Sequence, residues 1–138
     1  MQRLFRNYRC GESVTRGDAL YLDSSSNVLK ALANSDNTMP SIGFADEDGT
    51  SSQYISVLTE GFLEVYAHGF ATGSMLYVSD STAGGLQISV PAVSNYAQLI
   101  AQSHDSSTLM LTQGKFADRN FQDNTMTVYF GEPGDVDG

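Results

Sequence analysis

The chain has 138 residues, of which 41% are hydrophobic, 17% charged and one a cysteine, and its formal net charge is −9. That is enough chain for one ordinary domain or two small ones sharing a core, and a lone cysteine excludes an intrachain disulfide. No run approaches the roughly 20 apolar residues of a membrane span, and the acidic total argues against a nucleic-acid surface, which needs Lys and Arg to neutralise phosphate.

The charge is divided along the chain. Residues 1–16 carry Arg3, Arg6, Arg9 and Arg16 against Glu12, a net +3, whereas the remainder carries Lys30, Lys115 and Arg119 against fifteen acids, a net −12. A basic N-terminal arm, residues 1–16, therefore precedes an acidic body, and its composition suits docking onto an acidic neighbour. Residues 1–10 lack the apolar stretch of a signal peptide, which implies a soluble product made in a cytoplasm. Cys10 has no histidine near it in sequence and reads as a small hydrophobe rather than a nucleophile.

The first strand signal is Gly17-Asp18-Ala19-Leu20-Tyr21-Leu22, and it returns as Gly73-Ser74-Met75-Leu76-Tyr77-Val78. Leu20 and Leu22, like Leu76 and Val78, alternate with their neighbours as a half-buried strand requires. Ser/Asp/Gly-rich turns follow at 23–27 and 79–85, and then a returning apolar stretch, Val28-Leu29-Lys30 or Leu86-Gln87-Ile88. Further on, Gly43-Phe44-Ala45 aligns with Leu99-Ile100-Ala101, and Val57-Leu58-Thr59 with Met110-Leu111-Thr112. Four matched blocks in one order describe a duplicated unit of about 50 residues. The units are residues 17–67 and 68–120, with a C-terminal strand at Met126, Val128 and Phe130 and an acidic tail completing 121–138.

Strands are expected at Ser41–Ala45, Tyr54–Thr59 and Phe62–Ala67 in the first unit, and at Tyr96–Ser103 and Thr108–Thr112 in the second. No window has helical periodicity, apart from room for a short turn of helix near Ala31–Asn37. Strand and turn signals recurring every 8–14 residues describe an all-β fold. Neither unit can bury its apolar face alone, so the expected architecture is a duplicated β-meander in a pseudo-symmetric sandwich or small barrel with an extended N-terminal arm.

Signatures of catalysis are absent. There is no GxSxG, HExxH, P-loop or GxGxxG pattern, and His68 and His104 sit in Gly- and Ser-rich turns. Asp46-Glu47-Asp48-Gly49 lacks the closing bidentate Glu of a calcium loop, and Arg16-Gly17-Asp18 spells an adhesion tripeptide that recurs often by chance and whose Gly17 is already explained by its repeat partner Gly73. No catalytic residue, metal ligand or cofactor is expected. Tyr21 and Tyr77, equivalent in the repeat, are candidate surface contacts.

The blocks Gly17–Leu22, Ser41–Ala45 and Tyr54–Gly61, echoed at Gly73–Val78, Tyr96–Ala101 and Met110–Gly114, resemble small virion proteins of tailed bacteriophages of the head-decoration (capsid cement) or head-fibre base type. The resemblance covers residues 14–116. It implies a compact β-fold without enzymatic residues that assembles as a homotrimer on the outer shell, made in the bacterial host and placed on the virion. The expected partners are the major capsid protein and copies of the chain itself, with no nucleic acid and no membrane. The docking residues would be those of the arm: Arg3, Leu4, Phe5, Arg6, Tyr8 and Arg9. The alternative expectation is a receptor- or glycan-binding module, or an adaptor of a fibre, tail or baseplate, in which exposed tyrosines stack on sugars.

Overall fold

A computed structural model describes residues 3–65, 68–92, 94–111 and, for the backbone alone, 116–118. The strands are β1 (Leu4–Cys10), β2 (Ala19–Leu22), β3 (Asn27–Lys30), β4 (Ser41–Ala45), β5 (Tyr54–Glu64), β6 (Met75–Val78), β7 (Leu86–Gln87), β8 (Tyr96–Asp105), β9 (Thr108–Leu111) and β10 (Phe116–Asp118). Among the described residues one 3₁₀ turn, Asp36–Thr38, occurs, and it is capped by the Ser35 side chain, which accepts from the Asn37 N–H. The fold is all-β, as the turn-rich composition leads one to expect. The strand expected at Met126–Phe130 lies outside the described residues.

The first five strands close on themselves in the order β1-β3-β2-β4-β5, with β5 returning to β1. The second set continues from β5 as β9-β8-β6-β7, and β10 lies along β8. The duplication is visible in the pairing. Tyr21 faces Leu29 and Leu22 faces Val28, just as Tyr77 faces Gln87 and Val78 faces Leu86. Leu20 faces Gly43 and Tyr21 faces Ser41 across a bulge, just as Leu76 faces Ala101 and Tyr77 faces Leu99 across a bulge in the same place. The bulged residues are Ile42 and Ile100. Both units open with a β-turn whose third residue has positive φ, Gly17 at 97° and Gly73 at 90°, the backbone that a type II turn assigns to glycine.

Structural equivalence corrects two of the sequence alignments. Gly43 corresponds to Ala101 rather than Leu99, and Leu58 to Met110 rather than Leu111. Strands buried on both faces carry nearly continuous apolar runs, and such runs slide past one another without penalty in a sequence comparison.

The repeat also reaches further than its sequence suggests. Within the basic N-terminal stretch, Leu4–Cys10 form β1, which is built into the barrel. Arg6 faces Val57 and Phe5 faces Leu58, as Leu63 faces Leu109 and Phe62 faces Met110. The second half of β5 is therefore the counterpart of β1, and β5 serves as last strand of one unit and first of the next.

The two units bury equivalent faces differently. Leu20, Val28, Ala45, Ile55 and Val57 fill the barrel with Cys10 and Val14. Their counterparts in the second unit, among them Leu76 and Leu109, instead pack on the outside of the barrel wall, against Ala19, Ala31, Phe44 and Leu58. Leu22, expected on the buried face, lies at the barrel end and is exposed.

Backbone bonds fasten the units together: Ala19 N–H to Gly84 O, Gly84 N–H to Ala31 O and Ala33 N–H to Ser79 O. Buried Gln98 adds a bidentate clasp, its Oε1 accepting from Ser41 N–H at 2.7 Å and its Nε2 donating to Ser41 O at 2.8 Å.

Candidate interaction surface on the first strand

Six of the eight residues singled out in sequence lie on or beside β1. Residues that face each other across a ladder share a face. Tyr8 faces Ile55 and packs against the barrel interior, while Arg9, Asn27 and Tyr54 form a row on the outer face. The arm residues thus occupy one strand whose N-terminal half is uncovered on both sides: Leu4 is 46% and Phe5 37% exposed, and Arg3 and Arg6 are exposed. A strand normally hides one of its faces. This one hides little before Tyr8.

The arginines there are not neutralised by carboxylates among the described residues. Arg9 donates to the Asn27 Oδ1 at 3.3 Å and to the Ser52 hydroxyl at 3.0 Å, both neutral acceptors. Arg3 lies over the Phe5 ring, 5.2 Å from its centroid, in cation–π contact. Arg16, by contrast, is committed to the fold. Its guanidinium donates to the carbonyls of Asp46 and Glu64 and lies 3.7 Å from the Asp46 carboxylate. The Arg16-Gly17-Asp18 tripeptide is therefore held by its own chain. The acidic turn beside it is similarly occupied, Asp48 accepting from Arg16 N–H and Glu47 from Ser56 N–H.

Alongside β1 runs a groove of about 610 Å³, with Asn7, Tyr8 and Arg9 on one side, the turn 25–27 on the other and Tyr54, 68% exposed, at its mouth. Tyr54 was not singled out in sequence, because nothing in an alternating strand marks which first residue stays bare. Tyr21 and Tyr77, which were singled out, are only half exposed. Tyr21 packs on the shared core, and burial, with Glu12 and Asp23 nearby, pushes its phenol above the usual range. Burial and the Glu47 charge likewise raise the Cys10 thiol, which keeps it protonated and unreactive.

Histidine chemistry is absent from this surface. His68 is pinned by the Asp105 carbonyl at 2.6 Å and the Phe70 N–H at 3.1 Å, and His104 tilts against Phe62. Among the described residues no three His, Cys, Asp or Glu side chains gather as a metal site, and no helix is long and apolar enough to cross a membrane.

Asp18 supplies a pH dependence. Burial raises its carboxyl above the ordinary Asp range, opposed by the Thr15 N–H and Lys30 and reinforced by Glu12 and Asp48. The folded state therefore holds this proton more tightly than the unfolded one, so Asp18 lowers stability as pH rises through that window. Asp18→Asn, which can still accept from Thr15 N–H, is expected to gain up to about 1 kcal/mol at pH 7, because the site is only half buried. The gain should vanish near pH 3 in urea titrations across this range; a gain independent of pH would contradict the assignment.

Comparison with known proteins finds no matching family model and no matching curated protein, so the functional reading of this surface rests on its residues and their geometry.

Proposed function

We propose that the chain is a non-enzymatic structural protein of a tailed-phage virion, decorating the outer capsid shell as a homo-oligomer, a trimer in the arrangement the resemblance implies. The observation that carries this reading is β1, a strand bare on both faces at its N-terminal half, which with the preceding Arg3 offers three arginines that meet no carboxylate among the described residues and two exposed apolar side chains. Such a strip buries apolar area and pairs charge against an acidic lattice at the same time. The acidic body then faces water, and the major capsid protein is the partner.

Leu4→Asp with Phe5→Asp tests it. Both side chains are exposed, so little core is lost, while occupancy on purified virions should fall at least tenfold, the equivalent of about 1.4 kcal/mol. Unchanged occupancy would remove β1 from the shell contact.

A second reading draws on the groove. Tyr54 and Tyr8 beside Arg9, Asn7 and Asn27 offer aromatic faces with fixed polar groups, a combination that suits a sugar, and it would make the chain a receptor- or glycan-binding module of a fibre or tail. Tyr54→Ala should abolish binding on a glycan array under this reading and leave shell occupancy unchanged under the first.

A further inference from the structure

The barrel is closed at β1 over only two residues. β1 meets β3 at Arg9 and Cys10, whereas it meets β5 from Leu4 to Arg9. Cys10 N–H donates toward β5, to Gln53 O, and Gly11 N–H donates toward β3, to Val28 O. Peptide groups alternate sides along a strand, so Asn7, like Gly11, turns its N–H and C=O away from β5. No strand among the described residues receives them, and the groove runs along this edge.

An open strand edge is a template for another chain. Three arginines and no acid along residues 3–10 set the chemistry of what fits, namely an extended, acidic segment. Residues 121–138, outside the described residues, meet that condition: they carry Asp123, Glu132, Asp135 and Asp137 with no Lys or Arg, around the alternating Met126, Val128 and Phe130. We propose that the open edge of β1 is completed by residues 125–137 of a second copy of this chain, added as a strand with its carboxylates along Arg3 and Arg6. This rests on the assembly reading only in taking β1 for a contact surface.

The test uses isolated full-length protein in solution, without virions, so it stands or falls separately from shell binding. One variant carries Arg3→Glu and Arg6→Glu, and a second carries Glu132→Lys, Asp135→Lys and Asp137→Lys. By light scattering the unaltered chain should be a multiple of 14.9 kDa. Each variant alone should be monomeric, and their equimolar mixture should return to the multiple, because each then supplies what the other's β1 needs. A third variant, Asn7→Pro, removes the outward N–H while keeping every charge, and should weaken association at least tenfold. Melting temperatures near that of the unaltered chain establish that the variants fold. A monomeric unaltered chain, multimers from either charge variant alone, or undiminished association by Asn7→Pro each overturn the proposal. So does a mixture that stays monomeric, as when the segment folds back on its own chain or another partner fills the edge.

Discussion

Replacing Gly43 by alanine should cost the fold about 4 kcal/mol or more and leave little soluble protein, whereas the same change at Gly73 should cost about 1 kcal/mol. A Cβ on Gly43 would stand 2.1 Å from the Leu58 carbonyl oxygen, well inside any tolerated contact, and 3.3 Å from Thr59 Cα. The obstacle is backbone, so no rotamer change relieves it. Relief requires β4 to separate from β5 at the Phe44–Leu58 and Ala45–Val57 pairs, which serve the shared core on one face and the barrel interior on the other. The equivalent position in the second unit is Ala101, buried and accommodated. The need for glycine is therefore not a property of the repeated meander but of the close approach of β5 in the first copy. Gly73 has no atom within 4 Å of a built Cβ, so only its positive φ is at stake. Denaturant midpoints decide the matter: equal losses at the two positions would refute the close-approach account.

The second large effect is expected at Phe44, the largest fully buried side chain among the described residues. Phe44→Ala should destabilise by about 3–5 kcal/mol through lost burial and the cavity left behind, lowering the melting temperature by about 10–20 °C for a domain of this size. The ring points out of the barrel wall into the seam filled by Leu76, Ile100 and Leu109 of the second unit. Its structural equivalent, Gln102, is half-buried and donates to Gly73 O at 3.1 Å, and Gln102→Ala should cost about 1 kcal/mol. Because β5 belongs to both ladders, one unfolding transition should persist in Phe44→Ala. Two separated transitions in calorimetry would show that the units do not depend on that seam.

What could be read in the sequence was whatever obeyed a local rule. The paired hairpins at Gly17 and Gly73 were legible because a turn glycine, an alternating Leu-x-Leu or Leu-x-Val and a polar turn each constrain a few neighbouring residues. The strand at Tyr96 was legible too, though buried on both faces. Register was less so: Gly43-Phe44-Ala45 and Leu99-Ile100-Ala101 look alike as apolar runs, and only the bulges at Ile42 and Ile100 fix which residue answers which. β1 escaped as part of the repeat because its counterpart is the second half of a longer strand, and because Arg3 to Asn7, bare on both faces, carry no burial pattern to detect. The candidate surface followed suit. Its arginines were evident from composition, while the exposure of Tyr54 and the peptide groups of Asn7 that no described strand receives depend on where β3 stops, a matter of long-range packing that no local rule reports.

The dual membership of β5 has a consequence for growth of such a chain. When the closing member of one module is also the founding member of its successor, lengthening by a further module requires four new strands rather than five, and no connecting hinge. Relative orientation is then dictated by hydrogen-bond register instead of by a tether, so modules added this way would stand at a fixed angle from the moment they fold.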